Sequence, residues 1–208
     1  MQIPIIYRDE SLLVVEKPVG LLSVPGKNPA LNNLIDLLKR DFPDARIVHR
    51  LDMATSGLMI IALNTEAQKK LGRQFETRHI DKQYIAITHG IISADENLID
   101  LPLICDWPNR PKQKVDYATG KPSQTHYKVL SRDRENNHTR VALFPITGRS
   151  HQLRVHLAEI GHAILGCEFY ADETVKHAAP RLLLHACELT FSHPETNISV
   201  TMKSPAPF

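Results

Sequence analysis

The longest uninterrupted apolar run in the chain is Leu58 to Leu63, only six residues. A bilayer-spanning helix needs about 20 such residues and a buried helix about 10–12, so this run suits a strand buried on both faces. Shorter apolar stretches elsewhere have the same character. Ile5–Tyr7 and Leu12–Val15 read as strands around an Asp9-Glu10-Ser11 turn, and Tyr84–Thr88 alternates as a strand. Gln124–Leu130, Thr139–Phe144, Leu182–Phe191 and Ile198–Lys203 read likewise.

Helical periodicity is confined to three places. Asn28-Pro29 has the form of an N-cap and first helical residue, followed by Leu31, Leu34, Ile35 and Leu38 on one face, ending before Pro43. Thr65-Glu66-Ala67-Gln68 has capping-box form and opens a helix with Leu71 and Phe75 on one face. Ser150 can cap a helix carrying Leu153, Leu157 and Ile160, stopped by Gly161. Trp107–Val115 (WPNRPKQKV) is too rich in Pro and too basic for either element. Strands predominate without strict alternation with helices. The expected fold is therefore α+β: a mixed, mainly antiparallel sheet with helices packed on it, in one domain over residues 1–208. That pattern argues against a parallel nucleotide-binding sheet, and G-x-G-x-x-G, G-x-x-x-x-G-K-[ST] and H-E-x-x-H are all missing.

Cys105, Cys167 and Cys187 are an odd, widely spaced set without a C-x-x-C pair. They fit neither a disulfide framework nor a zinc site, and the first eight residues carry no basic segment before an apolar core. A cytoplasmic protein is the expectation. Net charge is only +2, but its distribution is uneven. Arg110, Lys112, Lys114, Lys121 and Lys128 face only Asp106 and Asp116 in their segment; Lys69, Lys70, Arg73, Arg78 and Lys82 face only Glu76 and Asp81. Each patch can attract phosphates, or can simply be a solvated face.

The stretch His49-Arg50-Leu51-Asp52-Met53-Ala54-Thr55-Ser56-Gly57 places an acid in a turn just before the buried run. Backbone N–H groups and hydroxyls of such a turn can hold a carboxylate ionised and aimed, which makes Asp52 a candidate nucleophile or base. An Asx-turn cap is the alternative on these residues alone.

HRLD-x-x-T-S-G resembles the signature of the RluA-type pseudouridine synthases, whose Asp is the catalytic residue. The resemblance extends to KPVGLLSVPG, Lys82-Gln83-Tyr84, Gly148–Arg154 and Arg181–Ala186, and so over essentially the whole chain. Asp100–Val115 is similar to the corresponding stretch of the family member that modifies both large-subunit ribosomal RNA and tRNA. Some relatives carry an N-terminal S4 RNA-binding domain, and none is expected here.

The resemblance implies that Asp52 attacks C1′, initiates loss of a C2′ proton, or adds to C6 of the target uridine. It makes Arg154 the charge partner of that carboxylate; on spacing alone Arg154 could be an exposed helix residue sharing a polar face with His151. Tyr84 corresponds to the residue that stacks on the target uracil, and Arg50 to the one that fills the space left by the flipped nucleotide. His49 orients the loop and takes no catalytic role. The basic segment with Trp107, Arg110, Lys112 and Lys114 is a candidate RNA-backbone contact, with Trp107 as a stacking platform. The reaction exchanges an N1–C1′ bond for a C5–C1′ bond and releases only the C5 proton, so no metal and no cofactor is expected. The expected partners are ribosomal RNA and tRNA stem-loops, met by a monomer without membrane attachment or an obligate protein partner. Two other classes compete: a catalytically idle RNA-binding module, and an Asp-nucleophile hydrolase that would need a second acid.

Overall fold

The computed structural model describes residues 2–208, which fold into two compact units. One runs to Lys82 and takes in His185–Pro207; the other comprises Gln83–Leu184 with Phe208. In chain order the elements are β1 (Ile5–Arg8), β2 (Leu12–Lys17), α1 (Leu34–Leu38), β3 (Arg46–Ile47), β4 (Ser56–Ala62), α2 (Thr65–Glu76), β5 (Asp81–His89), β6 (Glu96–Asp100), β7 (Leu103–Cys105), β8 (Gln113–Val115), β9 (Gln124–Asp133), β10 (His138–Pro145), α3 (Gln152–Glu159), α4 (Glu173–His177), β11 (Leu184–Ser192) and β12 (Ser199–Lys203). Among the described residues no helix is long and apolar enough to cross a membrane.

In the first unit the strand order is β1-β2-β4-β11-β12, with β3 lying on part of β4. All pairs are antiparallel except β4 with β11, so the sheet is mixed. Every residue of β4 is buried, which is why its sequence is a continuous apolar run and not an alternation. On one face Leu58, Ile60 and Ala62 pack with Leu12, Val14, Leu189 and Phe191 and with Ala67 and Leu71 of α2. On the other, Leu13, Val15, Met59 and Ile61 are equally inaccessible.

Two helix starts in this unit differ from the sequence expectation. α1 begins at Leu34, five residues after Pro29, because Asn33 is the cap: its Oδ1 accepts from the Asp36 N–H at 3.0 Å, and its Nδ2 donates to the Asp36 carboxylate at 2.7 Å. Asn28 instead closes a local turn onto the Ala30 N–H at 3.0 Å, which leaves Leu31 exposed. α2 is capped by Asn64, whose Oδ1 accepts from the Ala67 N–H at 2.8 Å. Gln68 does not close a capping box; its amide donates to the Ile47 carbonyl at 3.0 Å.

In the second unit β5, β10, β9 and β6 form an antiparallel sheet in that order. The Trp107–Val115 segment is more regular than its composition suggests. Residues Trp107–Asn109 make a 3-10 turn, and β8 returns to pair with β7 as a small hairpin. α3 is capped by His151, not Ser150, with no side-chain bond at the cap. All residues from Gln152 to Leu157 are buried. Polar groups on this helix therefore bond to the sheet. Gln152 donates to the Gln124 carbonyl and the Thr125 hydroxyl (2.9 and 3.0 Å), and His156 Nδ1 lies 3.0 Å from the Thr125 hydroxyl.

Candidate functional site

Asp52 lies half-buried in a turn closed by the Thr55 N–H on the Asp52 carbonyl at 3.1 Å. The residues on either side of it are held by the end of β2 and the loop that follows, residues 17–26. Before it, the Ser23 hydroxyl donates to the Leu51 carbonyl at 2.7 Å and accepts from the Leu51 N–H at 3.1 Å. After it, the Met53 carbonyl accepts from the Gly20 N–H at 2.8 Å and from Lys17 Nζ at 3.3 Å. Lys17 is fully buried, and its ammonium also donates to the carbonyls of Pro18 and Leu21 at 2.9 and 2.8 Å. A buried cation is costly unless bonded, and these carbonyls offset its desolvation while drawing the loop and the turn together.

The residues flanking the turn explain the rest of the motif. His49 follows β3, and its Nε2 accepts from the Ile60 N–H at 2.9 Å, so a ring nitrogen serves β4 where the strand has ended. The ring stacks on Phe75 of α2 with centroids 4.2 Å apart. Burial first, and then the charge of Lys82, pull its pKa down to about 3, which keeps the accepting nitrogen free of a proton. Ser56 lies 2.8 Å from His185 Nδ1, and His185 Nε2 lies 3.0 Å from the Ser204 hydroxyl, all buried. Gly57 has φ +119°, and a side chain there would sit 2.3 Å from the Ala186 carbonyl oxygen. Only glycine meets both conditions. His49 thus ties the residue before Arg50 to β4 and α2. Lys17 and Ser23 belong to the KPVGLLSVPG stretch, and their clamping role becomes visible only where that loop meets the turn.

Arg50 is exposed beside this turn. Tyr84 lies in β5, paired with Leu143 of β10 and half-buried, so it is not a core strand aromatic. Arg154 is 2% exposed, which removes the reading of a surface helix residue. Its guanidinium lies over the rings of Phe169 and Tyr170, 5.1 and 5.4 Å from their centroids. Neither aromatic stands out in the sequence.

The β7–β8 hairpin carries the remaining sequence candidates. Trp107 is 64% exposed, and the Arg110 guanidinium lies 4.5 Å from its ring centroid and donates to the Trp107 carbonyl at 3.0 Å. Lys114 is exposed and Lys112 half-buried. A further aromatic, Tyr117, is 79% exposed just beyond β8. A bare indole and phenol among cations can stack on bases and meet phosphates.

Residues 11–159 match the RNA pseudouridylate synthase family. The chain is similar to the dual-specificity RNA pseudouridine synthase RluA of Escherichia coli (strain K12), with 54% identity over 205 residues, 98% of this chain and 93% of that protein. The protein of the same name from Yersinia pestis is also 54% identical, covering 98% of this chain and 99% of the relative. Among solved structures, human RNA pseudouridylate synthase domain containing 1 superposes with a TM-score of 0.83 at 30% identity, over 100% of this chain and 84% of that one.

Proposed function

Because the chain belongs to the RNA pseudouridine synthase family and forms pseudouridine in RNA, we propose that Asp52 is the carboxylate that drives the isomerisation. The observation that carries this reading is the clamp: the backbone is fixed on both sides of Asp52, at Leu51 by Ser23 and at Met53 by Gly20 and Lys17. Attack on C1′ and removal of a C2′ proton both demand an ionised carboxylate held in one direction. The N1–C1′ bond then breaks, the uracil turns, a C5–C1′ bond forms, and the C5 proton leaves. Tyr84 stacks on the flipped base, Arg154 supplies the countercharge, and Arg50 fills the vacated space; the family resemblance supports each role.

The relatives' name gives them dual specificity on RNA; the substrates of this chain are stem-loops of both ribosomal RNA and tRNA, as the sequence resemblance implies, met by a monomer in the cytoplasm. The hairpin with Trp107, Arg110, Lys112 and Lys114 contacts the RNA backbone. Incubating the protein with an isolated RNA hairpin labelled with tritium at uridine C5 tests the whole reading. Tritium should be released in proportion to pseudouridine formed, with no free uracil. Free uracil would mark a hydrolase, and binding without tritium release an idle RNA-binding module.

A further inference from the structure

The geometry points to Tyr170 as a positioning residue that ties the β7–β8 hairpin to Arg154. This rests on the reading of that hairpin as an RNA-backbone contact. Tyr170 lies in the irregular segment between α3 and α4. Its hydroxyl accepts from the Gln113 N–H of β8 at 2.8 Å and stands 2.6 Å from His151 Nδ1. A hydroxyl has one hydrogen and two lone pairs, so it bonds the amide and Nδ1 at once, the direction of the second bond being set by the His151 tautomer. One oxygen thus joins the start of the returning hairpin strand to the cap of α3.

The cap is a place where such a pin matters. His151 has φ 54°, a left-handed conformation that a non-glycine residue keeps only when its surroundings fix it. Tyr170 and Phe169 are among the fixing groups: the His151 ring stacks on Phe169 at 5.6 Å and meets the edge of Tyr170 at 5.6 Å. The same two rings lie against the guanidinium of Arg154, three residues further along α3. A single dipeptide therefore touches the hairpin, the strained cap and the buried cation. Its chemistry divides into two parts. The hydroxyl orders the hairpin, and the ring holds Arg154.

Two substitutions separate the parts. Tyr170→Phe keeps the ring and removes the hydroxyl's bonds to Gln113 and His151; it should raise KM for the RNA hairpin about fivefold and leave kcat within about twofold. Tyr170→Leu removes the ring as well and should lower kcat about tenfold or more. If the hydroxyl acts through the hairpin, Tyr170→Phe should add less than about twofold to KM once Lys112 and Lys114 are both changed to Gln. The inference is overturned if Tyr170→Phe leaves KM unchanged, if it lowers kcat as far as Tyr170→Leu, or if its effect multiplies fully with the Lys changes. Thermal melting checks that each variant is folded; should Tyr170→Leu fail to fold, the Phe comparison in the two backgrounds decides. Wild-type protein that releases no tritium would defeat the functional reading itself. Active wild-type with an unaffected Phe variant would defeat only the role of Tyr170.

Discussion

The Asp52 turn and the β7–β8 hairpin distribute their hydrogen bonds differently. The side chains that hold the Asp52 turn and its flanks reach far along the sequence: Ser23 to Leu51, Lys17 to Met53, His49 to Ile60, Ser56 to His185. Within the hairpin tip the bonds are local, from Asn109 to the Asp106 carboxylate and from Arg110 to the Trp107 carbonyl, and the side chains stand in solvent. A turn fixed from several strands is organised before substrate arrives, which suits chemistry. A tip whose side-chain bonds are local, anchored at its base by Tyr170, can adapt to an RNA backbone, which suits binding. The contrast predicts that damage in the first region appears in the rate and damage in the second in affinity.

The largest effect should come from Asp52→Asn, which keeps shape and removes charge. Turnover should fall by about a thousandfold or more, while RNA affinity stays within about twofold. Activity within about tenfold of the parent would end the assignment. Ser23→Ala leaves two backbone groups of Leu51 buried without their partner and should cost about 1–3 kcal/mol of stability in urea unfolding. It should also lower kcat about ten- to hundredfold at unchanged KM. Trp107→Ala removes a stacking face and should weaken RNA binding about tenfold with kcat retained, measured by fluorescence anisotropy of a labelled hairpin. Changing Lys112 and Lys114 to Gln should weaken ribosomal and tRNA hairpins alike. The slope of log K against log salt should become shallower by about one for each phosphate no longer neutralised.

A smaller effect concerns pH. The folded pKa of His49, about 3, lies below its ordinary value of 6.5, so the unfolded chain binds a proton that the folded chain refuses. This stability is complete above about pH 6.5 and is lost as pH falls toward 3, by about 2 kcal/mol at pH 5. His156 in the other unit is depressed by burial and acts in the same direction. Asp9 is bonded to His193, Tyr7 and the Ser11 and Leu12 amides and held well below the usual carboxylate range, so it adds a further loss below about pH 4. His49→Gln should flatten the stability profile between pH 5 and 7, leaving the smaller slope of His156; an unchanged profile would contradict the burial argument.

Sequence makes the strands legible because burial on both faces leaves an unmistakable apolar run at Leu58–Leu63, and Asp52 legible because its motif is contiguous. It misplaces the start of α1 because Asn28-Pro29 and Asn33 are both sound caps, and only the Asp36 contact selects between them. The hairpin is hidden because β7 and β8 are three residues each, too short for periodicity. Burial of Arg154 is hidden as well. What covers it, Phe169 and Tyr170, lies beyond the end of α3, and no spacing rule links a helix cation to aromatics in the following loop.

The division of labour is tested most directly by single-turnover tritium release, measured side by side for Ser23→Ala and Trp107→Ala as RNA is raised to saturation. Saturating RNA should return Trp107→Ala to within about twofold of the parent rate and leave Ser23→Ala slow by about tenfold or more. If Trp107→Ala stayed slow at saturation, or if excess RNA rescued Ser23→Ala, the assignment of chemistry to the clamped turn and binding to the hairpin would be contradicted.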